Sequence, residues 1–172
     1  MALKGDRYEL ETTVDFFMNT TATRGGVVTL QTAGSGAALD QSAALVQYAA
    51  NQSGAAAIGI LLNDVVDIDQ TRQHINYHKN EVQKGGKVTL LKKGYVVTNM
   101  IEPGDTIAAG QTAFVGASGF ITNTQSATSS QHEQSNGAPI GQFDSIVDED
   151  GFAKVSVNIP QSNPRNQNTT VA

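Results

Sequence analysis

The chain contains no cysteine, which excludes disulfide staples, cysteine-ligated zinc and thiol catalysis together. It has no tryptophan, 6% aromatic residues and 16% charged residues, the last well below the roughly 25% of an ordinary globular protein. Asn, Gln, Ser and Thr supply the missing polarity, so its surfaces favour hydrogen-bonded contacts over charge repulsion. Long apolar runs are also missing. No stretch approaches the roughly 18 uncharged apolar residues of a membrane span, and MALKGDRYELE holds no run long enough for a signal peptide. A soluble protein with no membrane partner is therefore expected. Basic clusters are scarce too: none is longer than Lys92-Lys93, and the net charge is −5 with pI ≈ 5.0. Such a chain advertises no phosphate-tracking surface, and nucleic acid is not an expected partner.

What is present is glycine, at 17 positions in 172 residues, between short segments of Val, Ile, Leu and Ala. A core built from such segments predicts one all-β domain, a small antiparallel barrel or sandwich. Residues 1–24 are expected to form an N-terminal arm or first strand, 25–159 the β domain, and 160–172 a flexible C-terminal tail. In YELETTVDFFM, residues 8–18, apolar side chains crowd ahead of any obvious core. Tyr8, Leu10, Phe16, Phe17 and Met18 are the candidate partner-binding residues, as an arm that buries them on a neighbour; an ordinary first strand is the alternative.

Short strands are predicted at Val27–Leu30, Ala55–Leu62, Lys87–Leu91, Tyr95–Ile101, Thr106–Ala108, Ala113–Val115 and Phe120–Thr122. The last two suit a hairpin across Gly116–Gly119, and Lys92-Lys93-Gly94 suits a hairpin or a bulge. Residues 40–50 fit a capped helix or a strand over Ala44–Tyr48, with strand preferred. Phe152–Ile159 carries the cleanest period-two alternation in the chain. Asn123–Gly137 is apolar only at Ala127 and reads as a long polar loop. AAIGILLND at 56–64 is echoed by APIGQFDSI at 138–146, which would give two similar strands.

Residues 65–79, VVDIDQTRQHINYHK, hold the most tempting chemistry. Asp67, Asp69 and Thr71 after two apolar residues resemble the nucleophile loop of haloacid-dehalogenase-type phosphotransferases. His74 and His78 have the spacing of a helical metal site. That loop needs the carboxyl end of the first strand of a doubly wound α/β sheet; here the flanking sequence reads as hairpins. As a strand, HINYH alternates His74, Asn76 and His78 against Ile75 and Tyr77 with no ligand needed. Asp105, Asp148 and Asp150 lie in turns that favour Asp for backbone reasons. No catalytic residue, metal ligand or cofactor site is therefore assigned, and no enzyme activity is expected; a metal-dependent hydrolase using Asp67 and Asp69 remains an alternative.

From Gly86 the chain reads GKVTLLKKG, then EPGDTIAAGQTAFVGASGFIT, a polar insert, and PIGQFDS. This order, with AIGILLND ahead of it, resembles the small capsid-stabilising, or head decoration, proteins of tailed bacteriophages. The likeness covers about residues 56–159 and rests mostly on turn glycines. GDTIAAGQ is also similar to the hammerhead of biotinyl and lipoyl domains, but Lys92-Lys93-Gly94 lacks the context of their modified lysine. The decoration-protein resemblance implies a compact β domain on the outer capsid surface of the virion, assembled in the host cytoplasm. It also implies homotrimers bridging the major capsid protein, with no chemistry. A tail or fibre β-module that binds carbohydrate or a receptor is the alternative.

Overall fold

In a computed structural model, residues 3–32, 44–48, 57–64, 81–124 and 139–159 are described. They contain no α-helix; apart from a short 3-10 turn at Ala117–Gly119, the regular structure is strand. The strands are β1 (Leu3–Met18), β2 (Ala22–Thr23), β3 (Val27–Thr32), β4 (Ala44–Gln47), β5 (Ala57–Asp64), β6 (Glu81–Val82), β7 (Lys87–Thr98), β8 (Thr112–Val115), β9 (Ile121–Thr122), β10 (Pro139–Phe143) and β11 (Ala153–Asn158). The all-β expectation is met.

The main sheet runs β1-β4-β3-β5-β7-β11-β10-β8-β9, and β1 also pairs with β7. That extra pairing closes β1, β4, β3, β5 and β7 into a ring. Contacts around the ring are antiparallel except β1–β4, which is parallel through Phe16↔Ala44, Phe17↔Leu45 and Met18↔Val46. Every strand of the ring sends side chains into one buried cluster: Met18, Val28, Val46, Leu61, Val88 and Leu90, with Ala22 and Val82 of the β2–β6 ribbon. This cluster is the barrel interior.

The second core lies on the outside of the same wall. Val27, Ile60, Leu62 and Leu91 point away from the barrel and pack against Ala113, Val115, Ile121, Ile140, Phe143, Val155 and Val157 of the β8–β11 sheet. Strands β3, β5 and β7 are thus buried on both faces, which is why AIGILL is apolar without alternation. In β7 the switch between cores falls at Leu90 and Leu91, consecutive residues that are both fully buried.

Lys92-Lys93-Gly94 does not turn the chain. Strand β7 runs straight through it, pairing with β5 before the triplet and with β11 from it onward. The bulge alternative holds: against β1, pairing skips from Lys93 to Leu91 as Glu11 passes to Thr12. Gly94 has φ 140°, and a Cβ there would lie 1.9 Å from the Tyr8 carbonyl oxygen, so glycine allows the two backbones to touch. The predicted strand at Thr106–Ala108 is absent; these residues are irregular, although Ile107 is buried. The β8–β9 hairpin appears as expected, with Phe114↔Thr122 and Val115↔Ile121.

The echoed segments are both strands, β5 and β10, and their glycines serve the same end. A Cβ on Gly59 would sit 2.9 Å from the Leu90 Cβ, and one on Gly141 1.8 Å from the Ser156 carbonyl oxygen. Tyr48, at the end of β4, ties the barrel to the second sheet. Its hydroxyl donates to the Thr23 carbonyl and accepts from the Gly26 N–H, while its ring fills the space beside Gly119.

Candidate interaction surface

Strand β1 is anchored at its two ends and exposed between them. Leu3 and Met18 are buried in the outer and inner cores respectively, whereas most residues between them are open to solvent on both faces. One edge of β1 pairs with β7 along its length. On the other, β4 joins only at Phe16–Met18, and among the described residues no strand pairs with that edge over Leu3–Asp15. Among the described residues β1 is thus an edge strand over Leu3–Asp15, in a sheet that continues through β7 into β5 and β11.

The five candidate binding residues separate accordingly. Tyr8 and Leu10 are 54% and 66% exposed, and Val14 joins them at 43%. Phe16 and Phe17 are half-buried, with Phe16 packed against the barrel interior. Met18 is wholly inside that interior, so its side chain is not offered to a partner; the end of the segment read as an arm is barrel wall.

Around Tyr8 the surface is ordered across three strands. Tyr8 lies opposite Tyr95, and Tyr95 opposite Ser156. The Tyr8 and Tyr95 rings stack at 6.2 Å and 27°, the Lys154 ammonium sits 3.7 Å over the Tyr95 ring, and the Tyr95 hydroxyl donates to Asp6 Oδ1 at 3.2 Å. Charges of both signs flank this ladder. Arg7 Nε meets Glu9 Oε1 at 2.6 Å, and Lys93 meets Glu11 at 3.3 Å. Lys4 donates to Asp148 Oδ2 at 2.8 Å, a bond that raises the lysine and lowers the carboxyl from their ordinary values. Exposed pairs of this kind contribute little to stability; they fix where the charges point.

Of the residues weighed for chemistry, Asp67, Asp69, Thr71, His74 and His78 lie outside the described residues. Asp148 uses Oδ1 to accept from the N–H groups of Asp150 and Phe152, the turn-forming role expected of it. Asp105 accepts from the Thr122 hydroxyl. Its neighbour Glu102 is pushed up by desolvation first and by Asp105 second, and Glu102 Oε2 is buried without a hydrogen-bond partner among the described residues. A hydrogen bond from the Ala117 N–H opposes that rise. No group of three or more metal-ligating side chains occurs among the described residues, which leaves 65–80 untouched.

Compared with known proteins, the chain matches no family model and no curated sequence.

Sequence reasoning named Tyr8 and Leu10 but missed Tyr95 and Lys154 beside them. The signal for Lys154 was available in the alternation of Phe152–Ile159, whose outward set includes it. Tyr95 carries no such signal: its place beside Tyr8 comes from the pairing of β1 with β7, which no local pattern encodes.

Proposed function

We propose that this chain is a structural protein that attaches to the outside of a phage capsid, bridges major capsid subunits and stabilises the shell. Its role is adhesive and not catalytic, and self-association into trimers belongs to the same proposal. The observation that carries the reading is the placement of the resembling segments. AIGILLND, GKVTLL, TAFV, FIT and PIGQF fall on β5, β7, β8, β9 and β10, all of them strands of the main sheet.

A second support is the exposed apolar set on β1. Tyr8, Leu10 and Val14 stand out from an otherwise polar strand. At about 25 cal/mol per Å² of apolar surface, covering them contributes a few kcal/mol per copy. Repetition over a lattice multiplies that small increment.

The test mixes purified chain with expanded, undecorated capsids. Stoichiometric co-sedimentation and a rise in the shell's thermal or mechanical resistance are expected, with binding weakened by Leu10→Ser. A chain that stays in the supernatant removes the proposal.

A further inference from the structure

We infer that the edge of β1 that no strand covers among the described residues pairs with the same edge of a second copy, antiparallel, about a two-fold axis at Tyr8. This does not rest on the capsid reading, and purified chain alone tests it.

An unpaired edge presents a row of N–H and C=O groups, a template for another strand. The groups that face outward belong to alternate residues, so an antiparallel copy must pair outward residues with outward residues. For a strand meeting itself, this places the two-fold axis on a residue and not between two. The sequence then selects which residue. With the axis at Tyr8, Arg7 of each copy lies opposite Glu9 of the other, and the Arg7–Glu9 ion pair of one chain meets its mirror arrangement in a four-charge cluster. Moving the axis to Asp6, Arg7 or Glu9 sets that residue against its own like charge. Moving it to Leu10 sets Glu9 against Glu11. An axis at Glu9 would also set Arg7 against Glu11, but only with Glu9 against Glu9 between them; among these neighbouring registers, the Tyr8 axis alone brings opposite charges together without a like-charge pair.

Backbone geometry selects the same centre independently. Strand β1 keeps regular register with β7 at Arg7↔Val96, Tyr8↔Tyr95 and Glu9↔Gly94, and register shifts follow on both sides. A regular edge is what a second strand needs, and its midpoint is Tyr8. On the Tyr8 face, pairing continues the ladder of Lys154, Tyr95 and Tyr8 into the Tyr8, Tyr95 and Lys154 of the second copy. It also covers part of two side chains, Tyr8 and Leu10, that are more than half exposed.

The absence of native cysteine makes the test specific. At the axis, residue 8 faces its own copy at a Cα separation of about 4.5–5.5 Å, inside the range a disulfide spans. Residues 7 and 9 are each displaced two positions from their own copies, giving about 8 Å, beyond that range. Tyr8→Cys is therefore expected to cross-link into a covalent dimer under mild oxidation, while Arg7→Cys and Glu9→Cys are not. In sedimentation equilibrium the unaltered chain associates in even steps, whether the paired unit is one chain or a trimer. Arg7→Glu is expected to weaken that association about tenfold or more, and Arg7→Glu/Glu9→Arg to restore it. Three equally cross-linked cysteine variants, a single-chain or bare-trimer mass at every concentration, or an Arg7→Glu chain that associates like the original each overturns the inference.

Discussion

Met18→Ala decides whether the end of β1 belongs to the domain or to a partner. Met18 is fully buried, and its neighbours in the cluster come from every other strand of the ring: Val28, Val46, Leu61, Val88 and Leu90. Its backbone is held as firmly, with its N–H donating to the Gly86 carbonyl at 2.9 Å and its own carbonyl accepting from Gly85 at 2.7 Å. Those bonds survive the substitution, so the loss is that of the side chain alone. Truncating a buried Met to Ala costs about 2–5 kcal/mol, because a close-packed wall cannot collapse fully onto the space left. For a chain of this length each kcal/mol lowers Tm by roughly 2–4 °C, so a fall of about 4–20 °C is expected. Leu10→Ala supplies the internal control, since Leu10 is 66% exposed and such surface changes stay within about 0.5 kcal/mol. Paired thermal and urea melts of the two variants measure the contrast. Equal melts for Met18→Ala and the parent would refute the closed barrel, and a loss at Leu10 matching that at Met18 would refute the exposed strand.

Two further changes probe the joints of the fold. Tyr48→Phe keeps the ring beside Gly119 but strips the hydroxyl from the Thr23 carbonyl and the Gly26 N–H; a loss of about 1–3 kcal/mol in denaturant melts is expected. Glu102 gives a pH signature: desolvation and then Asp105 raise its carboxyl above 4.5, so the folded chain holds that proton more tightly than the unfolded one. Stability from this group is thus fully present below the unfolded value and lost as pH rises through the folded one. Glu102→Gln should melt higher than the parent near neutral pH and converge with it in acid; a gap that is constant with pH would count against the cause assigned.

Much of the fold was legible because two-sided burial and turn chemistry leave direct marks. The run AIGILL has no alternation, and β5 indeed faces a core on each side. Gly116–Gly119 marked the β8–β9 connection, and the alternation of Ala153, Val155 and Val157 marked β11. What escaped was the length of β7. A polar triplet with a glycine is an ordinary break signal, but here the glycine answers a contact that is distant in sequence, the approach of the Tyr8 carbonyl. No local pattern encodes that. The same non-local cause hid the surface: Tyr8 and Tyr95 are opposite one another only because β1 returns along β7, far apart in the chain. Parallel pairing of β1 with β4 was equally invisible, since it is the closure of the barrel that puts Phe16–Met18 beside Ala44–Val46.

The charges on β1 bear on why an open edge is tolerated at all. Edge strands in natural sheets are commonly blunted by charge and by bulges that twist them away from a flat partner. Strand β1 has both devices, with Lys4, Asp6, Arg7, Glu9 and Glu11 along it and register shifts outside Arg7–Glu9. A run of one sign would repel every copy in every register. The alternation of Arg7 and Glu9 does something narrower: it penalises the registers on either side of Tyr8 and leaves that one neutral. Bulges beyond the regular stretch then stop the pairing from propagating along the strand. Charge and bulge together thus describe an edge that resists indiscriminate stacking while admitting one short, self-complementary contact, and reversing the sign at Arg7 alone should close that single opening without disturbing the buried ends of the strand.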